Sequence, residues 1–149
     1  MPFFYIPKWF TLKELLPENF YHENKDRGDY LWTICFDPRV LWTADRLRER
    51  YGPMIANTWN NPKIKKHEFR GYRPPNCAVG SKLSQHRYGR AIDLIPQKIG
   101  AQIIRDEIKA DPNNNDFKFI TCLEDDVSWF HFDTRNWDRT THGILIIKP

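Results

Sequence analysis

The sequence has no long apolar run. Its longest unbroken aliphatic stretch is Ile144 to Ile147, far short of the roughly 20 residues that cross a bilayer as a helix, so no membrane span is expected. Cysteine is scarce and odd in number. Cys35, Cys77 and Cys122 lie far apart, which fits neither a disulfide framework nor a CxxC metal site. They read as small core residues in a reducing compartment. There is no internal repeat, no low-complexity tract and no Gly/Ser linker, so residues 1–149 are expected to form a single domain. The opening MPFFYIPKWF lacks a basic start and a small-residue cleavage site. It does not read as a secretory signal, and the chain is expected in the cytoplasm at synthesis.

What is present is aromatic bulk and positive charge. Trp, Tyr and Phe make up 15% of the 149 residues, enough to build a core in a short chain. Lys and Arg number 23 against 19 Asp and Glu, a net charge of +4. Much of that excess lies in one segment: Lys63, Lys65, Lys66, Arg70, Arg73, Lys82, Arg87 and Arg90, with Glu68 the only acid. Such a strip suits a polyanion, nucleic acid or an anionic wall polymer, and equally a solvated face.

The chain organises as α+β. Residues 8–16 read as a short helix capped by Thr11, with Glu14 three residues on completing a capping box. Asp37-Pro38 opens a stronger helix, an N-cap followed by proline at the first helical position. Val40, Leu41, Ala44, Leu47 and Tyr51 recur at helical spacing until Gly52-Pro53 ends the run. Residues 54–59 read as a strand. Residues 60–90, broken by prolines and glycines, form an irregular stretch of the length usually kept for function. Residues 91–95 read as a strand, 101–109 as a helix, 111–115 as a turn, 117–123 and 128–133 as a hairpin, and 144–147 as a closing strand. The expectation is a small, mostly antiparallel sheet with helices packed on one side.

The chemistry concentrates in Ser84-Gln85-His86-Arg87-Tyr88-Gly89-Arg90-Ala91-Ile92-Asp93. On one continuous helix His86 and Asp93 would stand about 10 Å apart, too far to share a metal ion with bonds near 2 Å. A bend is needed, and Gly89 is the residue that can turn tightly or admit a close backbone. Beyond it, strand alternation puts Ala91, Asp93 and Ile95 on one face. A loop histidine folded over a strand aspartate could then hold one cation, with the small Ala91 leaving room. In Trp129-Phe130-His131-Phe132-Asp133, alternation buries Phe130 and Phe132 and presents Trp129, His131 and Asp133 on the opposite face. Two histidines and a carboxylate leave a fourth position for water, as in catalytic zinc sites. His22, His67 and His142 lack such context and read as surface residues.

These residues resemble a known family. The string S-x-H-x-x-G-x-A-x-D, filled by Ser84, His86, Gly89, Ala91 and Asp93, followed by W-x-H at Trp129 and His131, is similar to that of the M15 zinc peptidases. These D,D-carboxypeptidases and L,D-endopeptidases include several phage endolysins and share the fold of the hedgehog amino-terminal domain. Gly71-Tyr72-Arg73 resembles the family's Gly-Tyr-Arg turn, and residues 10–15 (FTLKEL) resemble the opening of one subgroup. The resemblance implies a hedgehog/DD-peptidase-like fold and zinc held by His86, Asp93 and His131. It implies that Arg73 grips a substrate carboxylate or the developing oxyanion, and that Ser84 holds a ligand by hydrogen bond beside the substrate. The substrate would be the stem peptide of peptidoglycan. A chain of this kind would reach the wall by a phage lysis route or in a virion, and a monomer is favoured.

One position departs from the pattern. Where many members carry the glutamate that activates water, three residues before the last histidine, this chain has Ser128, which is no general base. The candidates are Glu124, Asp125 and Asp126. If Asp125-Asp126 formed a two-residue hairpin turn, Glu124 would lie opposite Val127 and Cys122 opposite Trp129. Glu124 would then share a face with Trp129 and His131. Asp126 is second, if the loop is wider. Glu124 (or Asp126) would accept the proton of water and pass it to the leaving amine, with Trp129 as a wall of the cleft. The alternative is a catalytically inactive zinc-containing module that binds wall polymer or serves in a virion. Nucleic-acid binding through residues 63–90 ranks below both.

Overall fold

The computed structural model describes residues 4–149; the first three residues of the apolar opening segment lie outside the described residues. Among the described residues, six helices and five strands follow one another as α1 (Leu12–Leu15), α2 (Glu18–Asn24), α3 (Tyr30–Cys35), α4 (Pro38–Tyr51), β1 (Met54–Ile55), β2 (Ala91–Pro96), α5 (Ala101–Ala110), β3 (Cys122–Glu124), β4 (Phe130–Asp133), α6 (Arg139–His142) and β5 (Leu145–Ile147). The class is α+β, as the sequence implies.

The strands form one sheet in the order β1-β2-β4-β3-β5. It is mixed rather than mostly antiparallel, because β5 lies parallel to β3, with Cys122 beside Leu145 and Glu124 beside Ile147. The β3–β4 register also differs from the two-residue hairpin. Cys122 pairs with Asp133 and Leu123 with Phe132, so residues 125–129 form a wide loop. Three features hold that loop open. Asp125 N–H donates to the Ile147 carbonyl at 2.8 Å, Asp126 takes a left-handed φ of 60°, and buried Arg105 on α5 donates to the carbonyls of Val127 and Trp129 at 2.9 and 2.8 Å. The shift moves the partner of each residue by an even number, so the faces survive it.

The two faces of the sheet have different occupants. Ile92, Leu94, Leu123, Phe130 and Phe132 enter one hydrophobic cluster with α1, α3, α4 and α5, including Leu15, Leu31, Leu41, Leu47 and Ile104. Helix α4 starts as expected, with the Asp37 side chain accepting from Arg39 N–H and Pro38 at its first position, and it buries Val40, Leu41, Ala44, Leu47 and Tyr51. Asp45, also buried on α4, accepts from Tyr5 Oη and from the backbone N–H of Lys8 and Trp9, tying the amino-terminal segment to the helix. Helix α1 is a single turn closed by the Thr11–Glu14 capping box.

The strand expected over residues 54–59 ends at Ile55, because Asn57 turns away to donate to the Glu14 and Leu16 carbonyls. Past that point the long loop takes over as the neighbour of β2: Asp93 N–H donates to the Arg70 carbonyl at 2.8 Å. The opposite end of the expected hairpin is shortened too, since Phe117 is the buried last residue of a 3-10 turn, Asn115–Phe117, and is not in a strand.

Candidate metal centre

Alternation along three strands sets the chemistry. With Ile92, Phe130, Phe132 and Leu123 committed to the core, their neighbours Asp93, His131, Asp133 and Glu124 must project to the other face. Asp93 pairs directly with His131 across β2 and β4. Extending the β3–β4 register sets Glu124 opposite His131.

His86 reaches the same point from the loop. Ser84 caps a short 3-10 turn, Gln85–Tyr88, by accepting from His86 N–H, and Gly89 ends it in the left-handed region with φ 65° and ψ 24°. That residue must be glycine twice over. The backbone is left-handed, and a Cβ would run into the Cys35 carbonyl oxygen at the end of α3, while the Gly89 carbonyl accepts from Asp37 N–H at 2.9 Å. The turn is thus docked on the helical layer, and His86 is aimed by it. Its Nδ1 stands 2.8 Å from the Gly71 carbonyl oxygen. A carbonyl only accepts, so Nδ1 carries the proton and Nε2 keeps its lone pair. Nε2 faces Asp93 Oδ2 at 3.2 Å.

His131 Nδ1 lies 2.7 Å from Asp93 Oδ1 and its Nε2 lies 2.9 Å from Asp133 Oδ2. Asp133 is fully buried and held by Arg135, whose Nε and Nη2 donate to it at 2.8 and 2.6 Å. Burial alone would raise the Asp93 and Asp133 carboxyls. The two histidines that flank it, His86 and His131, instead hold Asp93 well below the usual carboxylate range. Arg135 and His131 do the same for Asp133. Burial would likewise lower His131, but its hydrogen bonds to Asp133 and Asp93 win and raise it.

His86, Asp93 and His131 are all buried, and one ligand atom from each lies within 4.8 Å of the others. Four-coordinate zinc with bonds of about 2.0–2.1 Å sets its ligand atoms about 3.4 Å apart, so the observed separations need only small side-chain movements. The triad can hold a metal ion, with Nε2 of His86 free by tautomer and Nδ1 of His131 facing the carboxylate. Its other nitrogen is anchored by Asp133, the kind of outer carboxylate that orients a metal-binding imidazole.

The triad lies along a cleft of about 480 Å³, within the range of small-molecule sites. Of the residues singled out from the sequence, Arg73, Ser84, His86, Asp93, Glu124, Trp129 and His131 all line it. Asp126 does not: it is exposed on the wide loop and pairs with Lys148 at 3.3 Å. Glu124 Oε1 stands 3.7 Å from His131 Nδ1. Arg73 donates to the Phe69 carbonyl and to Ser84 Oγ and sits 3.6 Å from Asp93 Oδ2. Burial lowers its guanidinium, and Asp93 draws it back. Ser84 therefore touches a ligand through the His86 backbone rather than its ring. The sequence reading missed Asp133 as the partner of His131 and Arg135 as the partner of Asp133. The signal was present, since residues two apart on a strand share a face.

The basic segment is only partly free. Arg87 knits its own loop by donating to the carbonyls of Pro74, Pro75, Cys77 and Ser81, and Lys66 pairs with Glu18 and Glu68. Compared with protein-family models, curated proteins and solved structures, the chain finds no match. The likeness to M15 peptidases rests on the motif residues themselves.

Proposed function

We propose that this chain is a zinc-dependent peptidase of the M15 type that hydrolyses peptide bonds in peptidoglycan stem peptides, with an α+β fold of the hedgehog/DD-peptidase kind. The observation that carries this reading is the convergence of His86, Asp93 and His131 in a cleft that also holds Glu124 and Arg73. Two imidazoles and one carboxylate with an open fourth position favour zinc in a hydrolytic role over a closed structural site. Bound zinc supplies a Lewis acid and lowers the pKa of water toward 7.

The chain's own residues supply the remainder. Glu124, through Oε1, takes a proton from the attacking water and returns it to the leaving amine nitrogen. Arg73, a planar donor held in place by Phe69 and Ser84, binds the substrate carboxylate or the oxygen on which negative charge develops. Trp129 forms a wall against which the peptide lies. Asp133 and Arg135 hold the His131 ring at its working angle.

The test is elemental mass spectrometry of protein purified without a metal-binding tag, followed by muropeptide digestion. About one zinc per chain is expected in the wild type and none in His86→Ala, with new amine termini released only by the former. Absence of zinc after reconstitution overturns the reading. The Ser128 departure keeps a second reading in view, a zinc-containing wall-binding module. Stoichiometric zinc and wall binding with no new amine termini would favour it.

A further inference from the structure

The cleft contains a second guanidinium that the steps above use only as a support. Arg135 lines it together with Arg73 and Glu124, and its side chain remains 25% exposed. An arginine carries five N–H donors in a rigid fork. Asp133 engages Nε and Nη2, which fixes the plane of the group and leaves Nη1 with no hydrogen-bond partner among the described residues. A guanidinium pinned on one edge by a buried carboxylate is a preorganised receptor on the other.

Its placement adds to this. An unbroken series of contacts runs Arg73–Asp93–His131–Asp133–Arg135, at 3.6, 2.7, 2.9 and 2.6 Å, with Glu124 beside its middle member. The two arginines therefore end the series on either side of the ligand residues, and a peptide laid across those residues meets both. The surplus of positive charge points the same way: Lys63, Lys65 and Lys82 are exposed on the segment that supplies Arg73, Ser84 and His86, and they raise the local concentration of an anionic substrate.

We infer that Arg135 is a second anion-binding position of the cleft, a specificity-determining residue that engages a carboxylate of the substrate peptide other than the group held by Arg73. Cleavage of that peptide rests on the peptidase reading; recognition of its carboxylate does not.

The experiment uses two synthetic stem peptides identical except that one carries this carboxylate and the other a carboxamide. Zinc-loaded wild type is expected to favour the acid peptide in kcat/KM by roughly ten- to hundredfold, the range of one charge-assisted hydrogen bond. Arg135→Gln brings the ratio toward one, and Arg135→Lys keeps most of it. Equal rates on the two peptides in the wild type, or a preference that survives Arg135→Gln, overturn the inference and leave the peptidase reading standing. If neither peptide is cleaved, calorimetric binding separates the two ideas. Tighter binding of the acid peptide, abolished in Arg135→Gln, keeps the inference while the peptidase reading falls; equal binding ends both. Displacement of the acid peptide by a single-stranded oligonucleotide with steep salt dependence reassigns the position to phosphate and overturns the peptide assignment. Should Arg135→Gln fail to fold, the wild-type ratio and Arg135→Lys still decide.

Discussion

Two carboxylates near His131 have opposite duties, and single substitutions separate them. Glu124 approaches Nδ1 without hydrogen-bonding to it, so Glu124→Gln is expected to keep the metal and lose turnover by about 10²–10⁴-fold, the usual contribution of a positioned base. Metal content and muropeptide turnover measured on one preparation check both halves. Asp133 instead holds Nε2 from a fully buried position. Asp133→Asn is expected to weaken zinc binding by about 10–100-fold, the common cost of losing an outer-shell partner, as read by competition with a chromophoric chelator. The sequence made Glu124 visible through face parity alone. The expected partners of Glu124 were wrong, yet a register shift by an even number of residues leaves every side chain on its face. Asp126 was a weaker candidate because a turn residue's direction depends on its backbone conformation, and a left-handed φ cannot be read from Asp-Asp.

Among the elements, those with strong local signals were legible and those made by remote contacts were not. Helix α4 announced itself by Asp37-Pro38 and Gly52, and β2 and β4 by alternation. Helix α2 buries none of its residues, so it has no apolar period to detect. The parallel placement of β5 on β3 is set by a pairing of residues over 20 positions apart, and no local motif encodes it. The 3-10 turn carrying His86 is an intermediate case: the need for a bend at Gly89 was readable, but its seat on the end of α3 was not. That seat makes a prediction. Gly89→Ala meets both a left-handed backbone and the Cys35 carbonyl, and is expected to cost about 2 kcal/mol or more, seen as a lower urea midpoint with an unchanged slope. Because the same turn aims Nε2, zinc affinity should fall with it.

In the molecule as a whole, stability and chemistry occupy opposite sides of one sheet. Chelation is therefore expected to abolish activity while leaving the far-ultraviolet circular dichroism intact, with a lower Tm because bound metal stabilises only the native state. The cysteines offer an independent gauge. Cys35 and Cys122 are buried, and burial pushes each thiol up to about 12, so at pH 8 only about one part in ten thousand of each would be thiolate. Alkylation of the native protein at pH 8 should thus mark half-exposed Cys77 alone, by peptide mass spectrometry, and raising the pH toward 9 should change little short of unfolding. Cys122 lies on the site face and Cys35 beneath the Gly89 turn, so labelling of Cys122 alone after chelation would locate a loosening to that face.

The alternation along β2, β3 and β4 has a longer consequence. One set of positions (92, 94, 123, 130 and 132) answers to packing, and the interleaved set (93, 124, 131 and 133) builds the candidate metal centre. Neighbours in the chain are thereby placed under separate selection. A lineage could change the ionisable groups of the cleft on one side of the sheet without risking collapse on the other, and the wide loop at 125–129 gives it a place to insert new residues while doing so.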